Sequence, residues 1–384
     1  MLEGARTPGA KILVSGGTRC NVTNASVSER DFWGGRSTIV RRVLRAFPVA
    51  DTVAFFAELG VPLHEEADGK LFPNTNRSRD VLEALLRETE RVGATVRTGQ
   101  RVLDVTRADG AFVVTTSDGA FRAGAVVLAT GGQSLPKTGS DGAGFTIARR
   151  LGHTIIPPTP GLAPLLLGAP SFHADVSGVA QDVELTVWVD GVAETRLTGA
   201  LLWTHFGVSG PVALDASRHW HRATLEGRTV SITVNFVVAS FEQTDQHWTA
   251  LTVSRPKTSI LHALATVMPA SVAAALLASL NMDGTTELAH FPRDDRRRLV
   301  HALVEWPLPV TGSRGYNYAE VTAGGVALAE IDPSTMESRV CPGLFLVGEV
   351  LDVDGRLGGF NFQWAWSSGR VAGAALAARK MNGL

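Results

Sequence analysis

Four glycine doublets, Gly16-Gly17, Gly131-Gly132, Gly324-Gly325 and Gly358-Gly359, each border an apolar run. Glycine adopts positive φ without strain and lets the backbone approach a ligand closely, so doublets beside buried strands suit a large bound group. Polar residues gather around them. Ser15 precedes the first doublet, and Arg19, Cys20 and Asn21 follow it. In "VVLATGG" (126–132) an apolar strand runs into Ala129, Thr130 and Gly131, and the carboxyl end of such a strand is where an open α/β sheet meets its ligand. Taken alone the motif describes a strand and a tight turn equally well. "GLFLVGEVLDVDG" (343–355) repeats the theme at Gly348 and Glu349. The Glu349 carboxylate could accept hydrogen bonds from a chain of hydroxyls, or simply sit at a strand end in solvent. After the fourth doublet, Asn361, Phe362 and Gln363 open a helix, whose free N–H groups and about half a positive charge suit a ring gaining electrons at its carbonyl edge. Trp364 and Trp366 read as packing residues, and His205, a lone histidine beside a turn, as structural rather than as an acid.

The elements that must hold these residues follow from periodicity. Residues 36–59 show helical spacing, with Val40, Val43, Leu44 and Phe47 on one face, and "RDVLEALLRETERVG" (79–93) is an amphipathic helix ended by Gly93. From Thr95 the period becomes two, giving an antiparallel meander that feeds a buried strand, Ala125 to Ala129, of the kind found in parallel sheets. A helix over about 142–151 comes next. Prolines 157, 158, 160, 164 and 170 then mark a connector. Beyond it lie strand-like segments ("DVELTVWVDG", "TVSITVNFVV") and an Ala- and Leu-rich helical stretch over about 259–306. Glycine punctuation and buried strands return after about 315, closed by a helix over about 363–379. This predicts one α/β domain built from both chain ends, residues 1–155 and 315–384, interrupted by an insert at 156–314.

Bulk properties narrow the function classes. The formal charge of −1 leaves no overall field to recruit nucleic acid or anionic lipid. The basic run Arg293 to Arg298 contains two aspartates and reads as a solvated helix face. Cys20 and Cys341 are the only cysteines and share no CxxC spacing, which argues against a disulfide framework, a zinc site or a thiol relay and favours a reducing, cytoplasmic setting.

The stretches "GAKILVSGGTRCNVTNA", "GKLFPNTNRS", "VVLATGGQSLPKTGSDGAGFTIARRLGH", "THFGVSGPVALDASR" and the run from "VTAGGVALAEIDPSTMESRV" to "GGFNFQWAWSSGRVAG" together resemble the HI0933-like flavoproteins, a family that includes YhiN-type and aminoacetone-oxidase-like proteins and a bile-acid reductase. The resemblance implies an FAD-binding, doubly wound (Rossmann-like) domain with an inserted β-barrel plus helical domain. It places Glu3 at the adenosine ribose and Lys11 near the phosphates. Ser15, Gly16, Gly17, Arg19 and Asn21 would lie along the flavin and ribityl chain, and the Val102 backbone at the adenine edge. Ala129, Thr130 and Gly131 would meet the second face of the cofactor. Gly348 and Glu349 would bind the ribityl hydroxyls, and Gly359 with the Asn361–Gln363 backbone would face the pyrimidine ring.

In that family the ribose acid ends the second strand, about twenty residues after a GxGxxG turn. Here the matching acid is Glu3, so a strand, glycine turn and helix are expected upstream of Met1. "GSDGAG" (139–144) has a different glycine spacing and is a poor substitute. The implied activity is an FAD-dependent oxidoreductase passing hydride between a small organic substrate and flavin. With no second dinucleotide-binding unit, NAD(P)H would dock transiently or dioxygen would reoxidise the flavin. The alternative is a truncated, non-catalytic remnant that holds FAD weakly or not at all.

Overall fold

The computed structural model describes residues 1–169 and 171–381. The chain divides into two compact units, one of residues 1–160 together with the chain from Glu320 onward, the other of residues 161–319. The first junction falls within the proline-rich stretch, whose first part is itself a strand.

That strand corrects the reading of the prolines as a connector. Ile155–Gly161 contains Pro157, Pro158 and Pro160 and pairs with Val321–Val326 in a two-stranded sheet. Proline lacks an N–H but is tolerated where a strand is an edge and the missing donor has no neighbour to serve. Leu165–Leu167 is a strand as well, and Pro170 lies outside the described residues. The helical periodicity over 36–59 resolves into two helices, Ser37–Ala46 and Val49–Glu58, because Pro48 forces the residue before it out of helical geometry. The stretch over 259–306 likewise contains separate helices, Ile260–Leu264, Ala270–Ser279 and Arg293–Val304.

In the first unit Val126–Leu128 and Leu344–Leu346 pair in parallel, joining segments from the two ends of the chain. Their core takes in Phe345, Leu346, Phe360 and Trp364, all essentially buried. The meander is Val102–Ala108, Ala111–Thr116 and Gly119–Ala123, three antiparallel strands in sequence order. A smaller core of Cys20, Val22, Phe56, Val61 and Val81 packs against Phe362 and Trp366 of the C-terminal helix Phe360–Met381, and so fixes the first glycine loop to that helix.

The second unit carries a seven-stranded antiparallel sheet around the long hairpin Ala180–Val189 and Val192–Thr204. The barrel implied by the family resemblance is not closed by hydrogen bonds among the described residues. The edge strands are Trp306–Leu308 and Val310–Ser313, paired on opposite sides of the sheet. They are consecutive in the chain and separated by Pro309 alone, so the two edges are joined by a covalent bend rather than by a ladder. Among the described residues no helix is long and apolar enough to cross a membrane.

Candidate active site

The site is built where the parallel strands end. Beyond Leu128 the chain turns through Gly131 and Gly132 to Ser134; beyond Leu346 it turns through Gly348 to Glu349. Ser134 is fully buried, and its Oγ donates to Glu349 Oε1 at 3.0 Å. The same carboxylate oxygen accepts the Thr322 N–H at 2.8 Å. Lys11 Nζ completes the cluster, donating to Ser134 Oγ at 2.6 Å and to Glu349 Oε2 at 3.3 Å. Thr322 Oγ1 accepts the N–H groups of Gln133 and Ser134 at 2.7 and 3.1 Å, which fixes the glycine turn. The turn admits no side chain at Gly132: a Cβ there would fall 2.3 Å from Thr322 Oγ1 and 2.8 Å from Glu349 Oε1.

The first glycine loop is strained. Helix geometry from Ala10 breaks at Ser15, and Gly16, Gly17, Thr18 and Cys20 all have positive φ, at 54°, 66°, 70° and 63°. Non-glycine residues in this region cost about 1 kcal/mol or more, and such positions collect at functional sites. Cys20 anchors the loop: it is fully buried, and burial pushes its thiol up to about 11, so it stays protonated and is no nucleophile. Next to it Asn21 is 9% exposed, and its Oδ1 has no hydrogen-bond partner. A buried acceptor left unmet costs about 1–3 kcal/mol, so this oxygen is set for a donor that a ligand brings.

The fourth doublet closes on the same loop. Gly359 has φ 94°, and a Cβ on it would fall 2.5 Å from the Thr23 carbonyl. Gln363, 1% exposed, accepts from Thr23 Oγ1 at 2.6 Å and donates to the Phe47 carbonyl at 3.0 Å. The Asn361 side chain is spent on Gly355, bonding its N–H at 2.8 Å and its carbonyl at 2.9 Å. What these residues offer a ligand is therefore backbone at the start of the helix.

The other expected residues lie as follows. Lys11 is held at Glu349 rather than directed elsewhere. Ser15 Oγ donates to its own helix at the Ile12 carbonyl, and Arg19 binds Glu66 at 2.7 Å while lying over the Phe72 ring at 4.0 Å. Glu3 accepts the Ala5 N–H at 2.8 Å, at the end of a segment that bridges Arg97 in parallel. Gly4 packs against Arg101, which brings this segment beside Val102 at the start of the meander. Ala129 and Thr130 are exposed, and Gly131 turns at φ 69°. Gly348 donates to Ser368 Oγ at 3.0 Å and accepts from Trp364 Nε1 at 3.1 Å. Trp366 Nε1 donates to the Val22 carbonyl at 2.9 Å and its ring stacks on Phe362, so both tryptophans pack. His205 belongs to the second unit, where it is exposed and meets Phe206 edge-on at 5.1 Å. Ser134 and Thr322 were not foreseen, although each lies within two residues of a glycine doublet, in "GGQS" and "TAGG".

The family model described as "HI0933-like protein Rossmann domain" matches residues 1–375. The chain belongs to the HI0933-like family. Similar curated relatives include the 3-dehydro-bile acid delta(4,6)-reductase of Clostridium scindens, 32% identical over 99% of this chain and 92% of the relative. The ribosomal RNA dihydrouridine synthases of Escherichia coli and Haemophilus influenzae are each 31% identical, over 100% and 96% of this chain and 92% and 90% of theirs. An HI0933-like protein is an FAD-dependent oxidoreductase, and the residues present fit the flavin end of that cofactor. The fit rests on the unmet Asn21 Oδ1 acceptor and on Gly17, which has open space where a Cβ would stand. Among the described residues no group of His, Cys, Asp and Glu side chains is placed to hold a metal ion.

Proposed function

We propose that this protein reduces a carbon–carbon double bond of a small organic substrate, with NAD(P)H as the electron donor that reduces its flavin. FAD, when bound, supplies the hydride chemistry. The chain's residues orient it. Asn21 Oδ1 accepts from a ring or ribityl donor, and the Gly358-Gly359 backbone lets the start of the Phe360–Met381 helix approach an electron-rich ring edge. Lys11, Ser134 and the Thr322 N–H hold Glu349 in one geometry, so its carboxylate meets the cofactor without reorganising. Cys20, kept protonated by burial, takes no part in a thiol relay.

The observation that carries the reading is the Lys11–Ser134–Glu349–Thr322 cluster at the carboxyl ends of the two parallel strands. The double-bond preference comes from the relatives, whose names denote a bile-acid reductase acting at unsaturated positions and a synthase of dihydrouridine. A small substrate is favoured over RNA because the formal charge is −1 and no basic stripe runs along the chain. The test is anaerobic: the FAD-loaded protein is reduced with NADPH or photochemically, then mixed with α,β-unsaturated ketones or acids. Return of the oxidised flavin spectrum together with a product two hydrogens heavier supports the reading. A reduced flavin that no unsaturated compound reoxidises, but dioxygen does, contradicts the double-bond assignment.

A further inference from the structure

In the second unit the turn over 313–318 is pinned from several sides. Ser313 Oγ shares a 2.7 Å hydrogen bond with His221 Nε2 and accepts the Gly315 N–H at 3.1 Å. The Tyr318 and Ala319 N–H groups return to the Gly315 carbonyl at 3.1 and 3.0 Å, and the Arg314 N–H reaches the Pro164 carbonyl at 3.0 Å. On this fixed turn the Arg314 guanidinium carbon lies 3.4 Å from the Tyr318 ring centroid and 4.6 Å from that of Phe206.

Two rings without a carboxylate set Arg314 apart: among the described residues Arg97 over Phe121 and Arg107 over Phe112 also have no carboxylate partner, but each lies over a single ring, at 5.4 and 5.5 Å. Arg19 over Phe72 also binds Glu66 at 2.7 Å, and Arg356 over Phe360 also binds Asp31 at 3.0 Å. Arg379 over Phe345 has Glu337 at 3.1 Å. Arg314 has two rings and, among the described residues, no carboxylate partner. A guanidinium resting on aromatic faces keeps its in-plane N–H fork for a ligand and, being already held, loses little entropy on binding. Its surroundings are donors and apolar surface. Tyr318 is 49% exposed, and His205 is exposed beside Phe206.

We propose that Arg314, with the Tyr318 and Phe206 rings, is the recognition point for a carboxylate carried on an apolar substrate. The inference deepens, and rests on, the reading of the protein as a reductase of small organic molecules. A planar fork matches a carboxylate with two parallel hydrogen bonds, while the rings take the adjoining hydrocarbon. A nucleic-acid strand would need a series of phosphate contacts, and this cluster offers one unengaged guanidinium.

The experiment is a calorimetric titration of the full chain with cyclohexylacetate and, separately, with its methyl ester. The acid is expected to bind at least about tenfold more tightly than the ester. Arg314→Met is expected to bring the acid down to the ester's level, with Arg314→Lys in between. Equal binding of acid and ester by the unmodified chain overturns the proposal, as does an Arg314→Met protein that keeps the preference. Arg314-dependent binding of a short single-stranded RNA in place of the acid also overturns it. The acid–ester comparison uses the unmodified chain, so it decides even if a variant fails to fold. No step needs flavin or turnover, so failure here leaves the flavin reading standing and the two failures are told apart.

Discussion

Ser134 and Glu349 stand 215 positions apart in the chain and meet at 3.0 Å. One ends the turn after the first parallel strand, the other the turn after the second, and their bond ties the two halves of the first unit at its ligand side. Ser134→Ala removes an acceptor from Lys11 and a donor from Glu349. Two partly buried polar groups then each lose one partner while keeping another, so a loss of about 1 kcal/mol is expected. The measurement is the midpoint shift in urea at an unchanged slope. A midpoint within error of the unmodified protein would show that the pair adds nothing to the fold.

Glycine substitutions separate close packing from conformational strain. Gly359 and Gly17 both have positive φ, at 94° and 66°, so alanine at either is strained by about 1 kcal/mol. Only at Gly359 would the new Cβ also strike backbone, 2.5 Å from Thr23, whereas at Gly17 nothing lies within 4 Å. Thermal unfolding should therefore show Gly359→Ala destabilised by several kcal/mol and Gly17→Ala by about 1. Equal losses would mean that the helix start and the Thr23 strand are not in the contact described.

Asn21 gives the converse case. Its unmet Oδ1 is a liability to the fold, so Asn21→Leu should leave the flavin-free protein as stable as before or slightly more so. Denaturation of the two flavin-free proteins side by side checks this. A loss beyond about 1 kcal/mol would indicate a partner for Asn21 within the protein.

His221 should make the second unit acid-sensitive. Burial lowers its imidazole from 6.5 to about 4. The unfolded chain then binds more protons than the folded one between those values, so stability is full above about pH 6.5 and falls as pH drops towards 4. The loss is at most about 3 kcal/mol, since each tenfold difference in proton affinity between the two states is worth about 1.4 kcal/mol. Denaturation midpoints between pH 7 and 4 should show this slope together with that of His219, whose imidazole burial lowers to about 3, and His221→Gln should make it shallower without abolishing it. An unchanged slope in the variant would assign the acid sensitivity elsewhere.

Much of this was legible in the sequence, for reasons that differ by element. The parallel strands announced themselves through unbroken apolar runs ending in glycine, and Ser78–Arg91 through its periodicity. The return of the chain end to the first unit followed from the same glycine punctuation. Ile155–Gly161 was hidden because three prolines mask an edge strand, and the split at Pro48 because one apolar face continues across two helices. Ser134 and Thr322 were silent: nothing about a serine or threonine in isolation says which carboxylate it will meet 215 or 27 residues away. The open ladder of the second unit was likewise beyond reach, since it depends on the bend at Pro309.

The central claim is that Asn21 and the Glu349 cluster receive the flavin. It is tested most directly by titrating FAD into the unmodified chain and into an Asn21→Leu/Glu349→Gln double variant, following flavin fluorescence. The account predicts one FAD per chain for the unmodified protein and an affinity lower by at least about a hundredfold for the double variant, from two lost hydrogen-bonding groups at about 1.4 kcal/mol each. Equal affinity in the two proteins, with both folded, would contradict it.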